Sequence, residues 1–588
     1  MKEINILLLL LVQATGAWAM NFWSDGFYFR VLSEEEKTIR LTTSWEFGYP
    51  TYYHGDLVIP QEVTYHGVTY TVTAIGQILE DPYQELYITS IHLPNTITTL
   101  EEDAFAGLWN LKNLNIPKSV KHIGKNAFSG CKSWECDELD LSILDTVPER
   151  VLNGCVNLKC VKLGTGTKHI CKEAFSGCTS LTDMDGIENV ETMEDKAFEN
   201  TPFYDAISNA VIEGPIYIGH IMWAYKGNTP EELEVEEGTT QITHNLFQND
   251  PYLKHVTIPG SMKDMGEHSF AGCQELASVT IGEGARTISA YAFHSCKKLK
   301  DVTLPSTLEE IGSGAFSGCE GLETLEFPLS LQVINYYAFK DCINLSSELQ
   351  FGEGLKEIDV GAFENCTHLK GELIIPNSTE IVGDHAFKKC SSLTSLICES
   401  NTIGASAFEL CWGLTSLTSF AEKIEPSAFS GCRNLRDIRF NNTTELGMDA
   451  FKDCVQLESL YLYGAISNQM WDQGKLKGLA FEGCENIHSI YSCASIPGQI
   501  YNDTFSSIVM NNANLFIPKG SSVNYFEADV WRRFVHIIED DTLLNSINDF
   551  RDPLKKQNQF VIDLSGRRTR IMTKRGLYIL EGKKIVCN

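Results

Sequence analysis

Apolar and polar positions along this chain repeat every 23 or 24 residues, a period far longer than that of a helix or a strand. From Cys296 to Phe316 the apolar positions are Leu299, Val302, Leu304, Leu308, Ile311, Ala315 and Phe316. Val302 and Leu304 alternate with polar neighbours, which predicts a short strand with one buried face. Pro305 ends it, having no N–H for a ladder. Leu308 and Ile311 then turn back toward the core. At the place of Gly312, sister stretches carry Ser289, Asn335, Asp359 and Gly383, residues suited to a helix N-cap, and Glu425 there is followed by Pro426. The Ala-Phe pair is therefore expected in a short helical or 3₁₀ turn with the phenylalanine inward. Two residues later stand Gly318, Asp341, Asn365 and Asp453, types that tolerate the left-handed backbone with which such turns end.

The same corner returns along most of the chain. AFSGC occurs letter for letter at 127–131, 174–178, 315–319 and 428–432, and near-copies fill the intervals, from Phe105 to Phe481, with Leu152, Phe247 and Phe505 in weaker ones. A unit of this length cannot bury its apolar face alone and becomes stable by lying against its neighbours. The expected fold class is an α/β repeat solenoid with a parallel β-sheet and units of 23–24 residues over 86–512, between β-rich caps.

Breaks in the period set the remaining boundaries. Residues 20–85 read as an N-terminal β-cap, with strands in Asp25-GFYFRVL and Val63-TYHGVTYTVTAIG and a turn at His66-Gly67. Between Phe198 and Phe247 the step doubles, and Gly214-PIYIGHIMWAYKG predicts a hairpin insertion at about 201–230. After Cys390 the units shorten to 21–22 residues, and one lengthens around Gln469–Gly478. Residues 513–540 read as a capping strand and small helix, 541–559 as a polar linker, and 560–588 as a small basic β module, either a sorting or anchoring signal or a structural cap. At the start, Lys2, the apolar run Ile6–Val12 and Ala17-Trp18-Ala19 make a secretory signal over 1–19, cleaved after Ala19. No later segment is apolar enough to span a membrane.

Thirteen of the nineteen cysteines hold the corner position. Equivalent residues on successive coils stand about 4.8 Å apart with parallel side chains, whereas a disulfide needs converging Cβ atoms about 3.8 Å apart. These are expected to be buried free thiols, with Cys136, Cys160, Cys171, Cys398, Cys493 and Cys587 off that file. A net charge of −30 argues against nucleic acid and anionic lipid as partners.

Signatures of catalysis are not found in the sequence: it has no HExxH, no GxSxG and no P-loop, and the Gly-rich Gly164–Lys168 lacks the longer spacing and reads as a turn. No catalytic, cofactor-binding or metal-binding residue is assigned. His122, His169 and His268 are expected near the corner, in solvent. The outward residue of each strand makes a column, His92, Asn115, Asp140 and Lys162, then Thr257, Thr280, Thr303, Glu326, Gln350, Ile374, Ile397 and Thr418. It ends in Arg439, Tyr461 and Tyr491, with Tyr463 nearby, and Tyr and Arg are the types enriched where proteins bind partners. These four are the candidate ligand-binding residues.

The unit Leu111-KNLNIPKSVKHIGKNAFSGC, the N-terminal Ile59-PQEVTYHGVTYTVTAIG, the interrupted unit from Glu199 and the tail Asp563-LSGRR…RGLYILEGKKIV together resemble the BspA-type leucine-rich repeat family of bacterial surface proteins. The resemblance implies a right-handed leucine-rich-repeat solenoid, exported to the surface or secreted, and a non-enzymatic role in binding or adhesion to a host or microbial macromolecule. A second expectation is an accessory glycan-binding protein in which Tyr461 and Tyr491 stack on sugar rings, and a third is a hydrolase with an unrecognised site.

Overall fold

The corner of each coil is neither helix nor strand. In the coil of Phe316, the N–H groups of Ala315, Ser317 and Cys319 donate three residues back, to Gly312, Gly314 and Phe316. Those of Gly314, Phe316 and Gly318 donate instead to Tyr336, Ala338 and Lys340 of the following coil, at 2.7–2.8 Å. Every second amide thus closes a local turn and the others join coils, so the helical or 3₁₀ turn expected from the sequence does not form. The residues read as N-caps take part in the same stacking: Ser289 Oγ donates to Asp264 and accepts from the Met265 N–H, both on the preceding coil.

This alternation requires a left-handed residue on each side of the phenylalanine. Two residues after it, Gly318, Asp341, Asn365 and Asp453 have φ of 74°, 61°, 64° and 58°, as the sequence predicts. Two residues before it, the chain is left-handed again, at Lys196, His268, Tyr291, Tyr337 and His385 among others, and at Arg150 before Leu152. Nothing in those residue types announces it.

The computed structural model describes residues 21–543 except 44, 47–48, 51, 80–86, 444, 464–479 and 501, with backbone alone for Trp45–Glu46 and Tyr49–Pro50. Of the tail it describes the backbone of Val561–Asp563, Arg568–Thr569, Gly576–Leu580 and Lys583–Cys587, which pair as a four-stranded antiparallel sheet. The signal segment 1–19 with Ala19, the lengthened stretch Gln469–Gly478 and most of the linker 541–559 lie outside the described residues. Among the described residues no helix is long and apolar enough to cross a membrane.

The chain divides into two compact units, Met1–Gly227 and Asn228–Asn588. In the first, Asn21–Ser24 and Phe27–Ser33 form a hairpin, and the sheet continues through Thr38–Thr42 to Val68–Ile75. Val68–Ile75 also pairs with Glu62–Tyr65 across the His66-Gly67 turn. On its other edge it meets Thr99–Leu100, which pairs in parallel with His122–Ile123. The N-terminal sheet is therefore continuous with the first coils, and Ile75 and Leu100 are fully buried. A second ladder runs Glu138–Asp140, Cys160–Lys162, Asp183–Asp185, and a third Thr146–Val147, His169–Ile170, Thr192–Met193, all in parallel at a 22- or 23-residue step. The stretch after Asn200 opens with a helix, Pro202–Ala210, capped by the Thr201 hydroxyl, before the hairpin of Gly214–Ile218 and Ile221–Lys226.

In the second unit the major sheet first runs Glu232–Glu234, His255–Ile258, Ser278–Ile281, Asp301–Thr303. No strand forms at Glu326 or Gln350, two members of the predicted outward column. Phe327 and Phe351 follow those residues, and the Phe327 ring meets the file of Phe339 and Phe363 edge-on, at 86° and 87°. The sheet resumes as eight parallel strands from Gly371–Ile375 to His536–Asp540. Both Asn514–Pro518 and His536–Asp540 are rungs of it, so 513–540 holds two strands with the short helix Ser522–Glu527 between them.

Inside, the phenylalanines form a file. From Phe247 to Phe505 successive rings lie 5.1–5.5 Å apart and within 15° of parallel. In the first unit Phe105 stacks on Phe128 and Phe175 on Phe198. The thirteen corner cysteines are buried free thiols. Each donates its S–H to the carbonyl of the residue in the phenylalanine position one coil back, at 3.0–3.4 Å. Cysteine is thus small enough for the corner and still supplies a donor, which alanine would not.

Candidate binding face

The outward column is in register along the eight-stranded sheet. Ile374, Ile397, Thr418, Arg439, Tyr461 and Tyr491 are paired in that order, each with the next. Residues on either side of each in the strand, such as Ile438, Leu460 and Ile490, are buried, so strand alternation turns the column outward. The pairing continues to Phe516 and then Ile538, which the sequence reading left out. The signal was present: Phe516 lies 25 residues after Tyr491 and precedes Ile517-Pro518, the repeat's own strand ending.

Four side chains of this column form one stack. The Arg439 guanidinium lies 5.4 Å from the Tyr461 ring centre. Tyr461 and Tyr491 are 4.6 Å apart and 6° from parallel, and Tyr491 and Phe516 are 4.7 Å apart at 7°. All four are half-buried. Burial raises the Tyr461 phenol above its usual range, helped by Tyr491 and opposed by Arg439. Tyr463 follows the strand, its N–H donating to Phe440, and burial pushes its phenol up further. Two residues before each member of the column, on the same side of the sheet, are Asp437, Ser459, Ser489 and Asn514, a polar border along the stack.

The stack determines what it can present. Rings parallel at 4.6–4.7 Å cover one another's faces. With those faces covered and the residues half-buried, solvent meets ring edges. Such a surface offers apolar area with donors and acceptors along its rim, the composition of a protein-binding patch.

The histidines expected in solvent divide. His122 is exposed. The His268 ring packs edge-on against Tyr291, 4.6 Å between centres. His169 is hydrogen-bonded to Thr192.

A family model described as a BspA type leucine rich repeat region matches six copies within residues 77–204, 240–370 and 356–488. Among solved structures, a leucine-rich repeat protein from Bacteroides ovatus is 20% identical, covering 88% of this chain and 100% of its own, with a TM-score of 0.37. A leucine rich cell surface protein from Faecalibacterium prausnitzii is 18% identical over 91% of this chain and 98% of its own, with a TM-score of 0.25. A third, a leucine-rich repeat protein from Eubacterium ventriosum, is 15% identical over 80% of this chain and 95% of its own, with a TM-score of 0.27. No curated protein matches the chain.

Proposed function

Because the chain belongs to the BspA type leucine-rich repeat family, we propose that it is a secreted or cell-surface binding protein, non-enzymatic, that holds a host or microbial macromolecule on its exposed sheet. The observation that carries this reading is the stack of Arg439, Tyr461, Tyr491 and Phe516. It replaces the threonines and isoleucines of earlier coils with the residue types that dominate binding energy, already ordered against one another, so little side-chain entropy is lost on contact. The leader pattern of Lys2, Ile6–Val12 and Ala17–Ala19 supports export. The charge of −30 favours a protein partner over nucleic acid.

The stack weighs against sugar rings as the ligand of Tyr461 and Tyr491. Stacking on a sugar needs a free aromatic face, and these faces are taken. The test is an array of matrix proteins, mucins and polysaccharides probed with the mature chain. Saturable binding to a protein is expected, weakened at least tenfold, about 1.4 kcal/mol, by Tyr461→Ala with Tyr491→Ala. Binding to no protein, or binding that the double variant leaves unchanged, overturns the reading. Retention on a polysaccharide that the double variant abolishes would establish the glycan alternative. The tail 560–588 is assigned a sorting or anchoring role on its basic sequence, and fractionating cells that express the chain with and without it tests that.

A further inference from the structure

The ladder of Thr146–Val147, His169–Ile170 and Thr192–Met193 in the first unit gathers three metal-binding side chains that no sequence motif joins. His169 opens the strand and Cys171 follows its end, two residues on, with the buried Ile170 between them. Glu194 stands on the next coil, 23 residues after Cys171, and the pairing of Ile170 with Met193 sets the two side by side. The imidazole, thiol and carboxylate donor atoms all lie within 4.8 Å of one another. Tetrahedral zinc, with bonds of about 2.0–2.3 Å, wants its donors about 3.3–3.8 Å apart, so closure takes side-chain adjustments of an ångström or less.

Neighbouring groups hold two of the three donors. His169 Nδ1 lies 2.7 Å from Thr192 Oγ1, which leaves Nε2 facing Glu194 Oε1 at 3.2 Å. The other carboxylate oxygen, Oε2, accepts the Lys172 N–H at 2.9 Å. A ring nitrogen tied to a hydroxyl and a carboxylate tied to a backbone amide are the usual supports of a ligand pair. Cys171 lies off the buried corner file, and the half-exposed site is open to an ion from solvent.

We propose that His169, Cys171 and Glu194 bind one divalent cation of the zinc class, bridging two adjacent coils and leaving a fourth position for water. The N, S, O donor set selects this class over magnesium or calcium, which want oxygen alone. Binding releases the Cys171 thiol proton to solvent as the S–metal bond forms.

The test is a Co2+ titration of the chelator-treated mature chain in reducing buffer, followed by absorption. One equivalent should bind with a thiolate-to-cobalt charge-transfer band and the visible bands of a four-coordinate site, and Zn2+ should displace it. Cys171→Ser should remove the charge-transfer band. His169→Ala and Glu194→Gln should each weaken binding at least tenfold, and Thr192→Val should do so more mildly, through the ring it orients. Cys160→Ser, a half-exposed cysteine off the site, should leave the titration unchanged. Far-UV circular dichroism in chelator checks that each variant folds; should Cys171→Ser fail there, the surface variants His169→Ala and Glu194→Gln decide. No stoichiometric band, or a band that survives the loss of Cys171 or of both other donors, overturns the proposal and leaves a His169–Glu194 ion pair only.

Discussion

At Gly314 a left-handed backbone and a crowded neighbour coincide. Its φ is +59°, and a Cβ added there would overlap the Tyr291 ring of the preceding coil. Tyr291 is itself left-handed, φ 54°, and the pair repeats two coils on, where a Cβ at Gly361 would overlap Tyr337. The backbone alone tolerates an L-residue here, as Tyr337 shows, at about 1–2 kcal/mol. Most of the penalty at Gly314 is therefore steric. Gly314→Ala is expected to destabilise the second unit by about 2–4 kcal/mol in urea unfolding. In a chain that carries Tyr291→Ala the same change should cost only the backbone part, about 1–2 kcal/mol. Equal costs in the two backgrounds would mean that the ring does not fill that space.

The phenylalanine file is the element on which each coil depends most. Phe363 lies between Phe339 at 5.2 Å and Phe387 at 5.1 Å, fully buried. Phe363→Ala should cost about 3–5 kcal/mol, from lost transfer energy and the cavity left behind. Phe363→Leu should cost less, because it refills most of that cavity. A stack of repeats is coupled through nearest neighbours. Amide exchange in Phe363→Ala should accordingly separate the coils before the gap from those after it, and one shared exchange rate across the second unit would contradict this.

What the sequence displayed at this scale was whatever the period repeats. Because Phe, Cys and the outward column recur at a near-constant step, the parallel register of Ile374 through Tyr491 could be read without coordinates. Three kinds of feature escaped. The corner became alternating turns and inter-coil bonds because stacking offers its amides partners that an isolated turn lacks. The coils of Glu326 and Gln350 keep the period yet form no strand there, and phenylalanine after the outward residue does not explain it, since Phe440 holds the same position inside a strand. The trio of His169, Cys171 and Glu194 spans two coils, so no contiguous motif marks it.

Across the molecule the corner thiols make stability depend on alkaline pH. Burial pushes Cys131, Cys178 and Cys432 up to about 12, and holds Cys319, Cys390 and Cys411 well above the ordinary thiol range. The folded state therefore keeps its protons where the unfolded chain, near 8.5, releases them. A group whose pKa rises on folding stabilises fully below the unfolded value and loses that contribution as pH climbs toward the folded one. Each thiol so raised should cost about 1.4 kcal/mol of stability per pH unit above roughly 8.5, up toward its folded value. Of the thiols raised in this way, the first unit holds Cys131, Cys155 and Cys178 at the corner with Cys136, Cys160 and Cys171 off it, and the second holds eight at the corner, Cys296 to Cys454, with Cys398 and Cys493 off it. Between pH 9 and 10.5 the unfolding free energy of the second unit should therefore fall more steeply than that of the first. Pulsed alkylation read by mass spectrometry, at a series of urea concentrations, reports both units in one chain. Replacing two corner cysteines of the second unit by alanine should make its pH slope shallower by about a fifth while lowering its stability at pH 7, since each alanine removes the S–H that served a carbonyl one coil back. Equal slopes in the two units, or a slope indifferent to those replacements, would mean that the thiols are not the groups whose ionisation opposes folding.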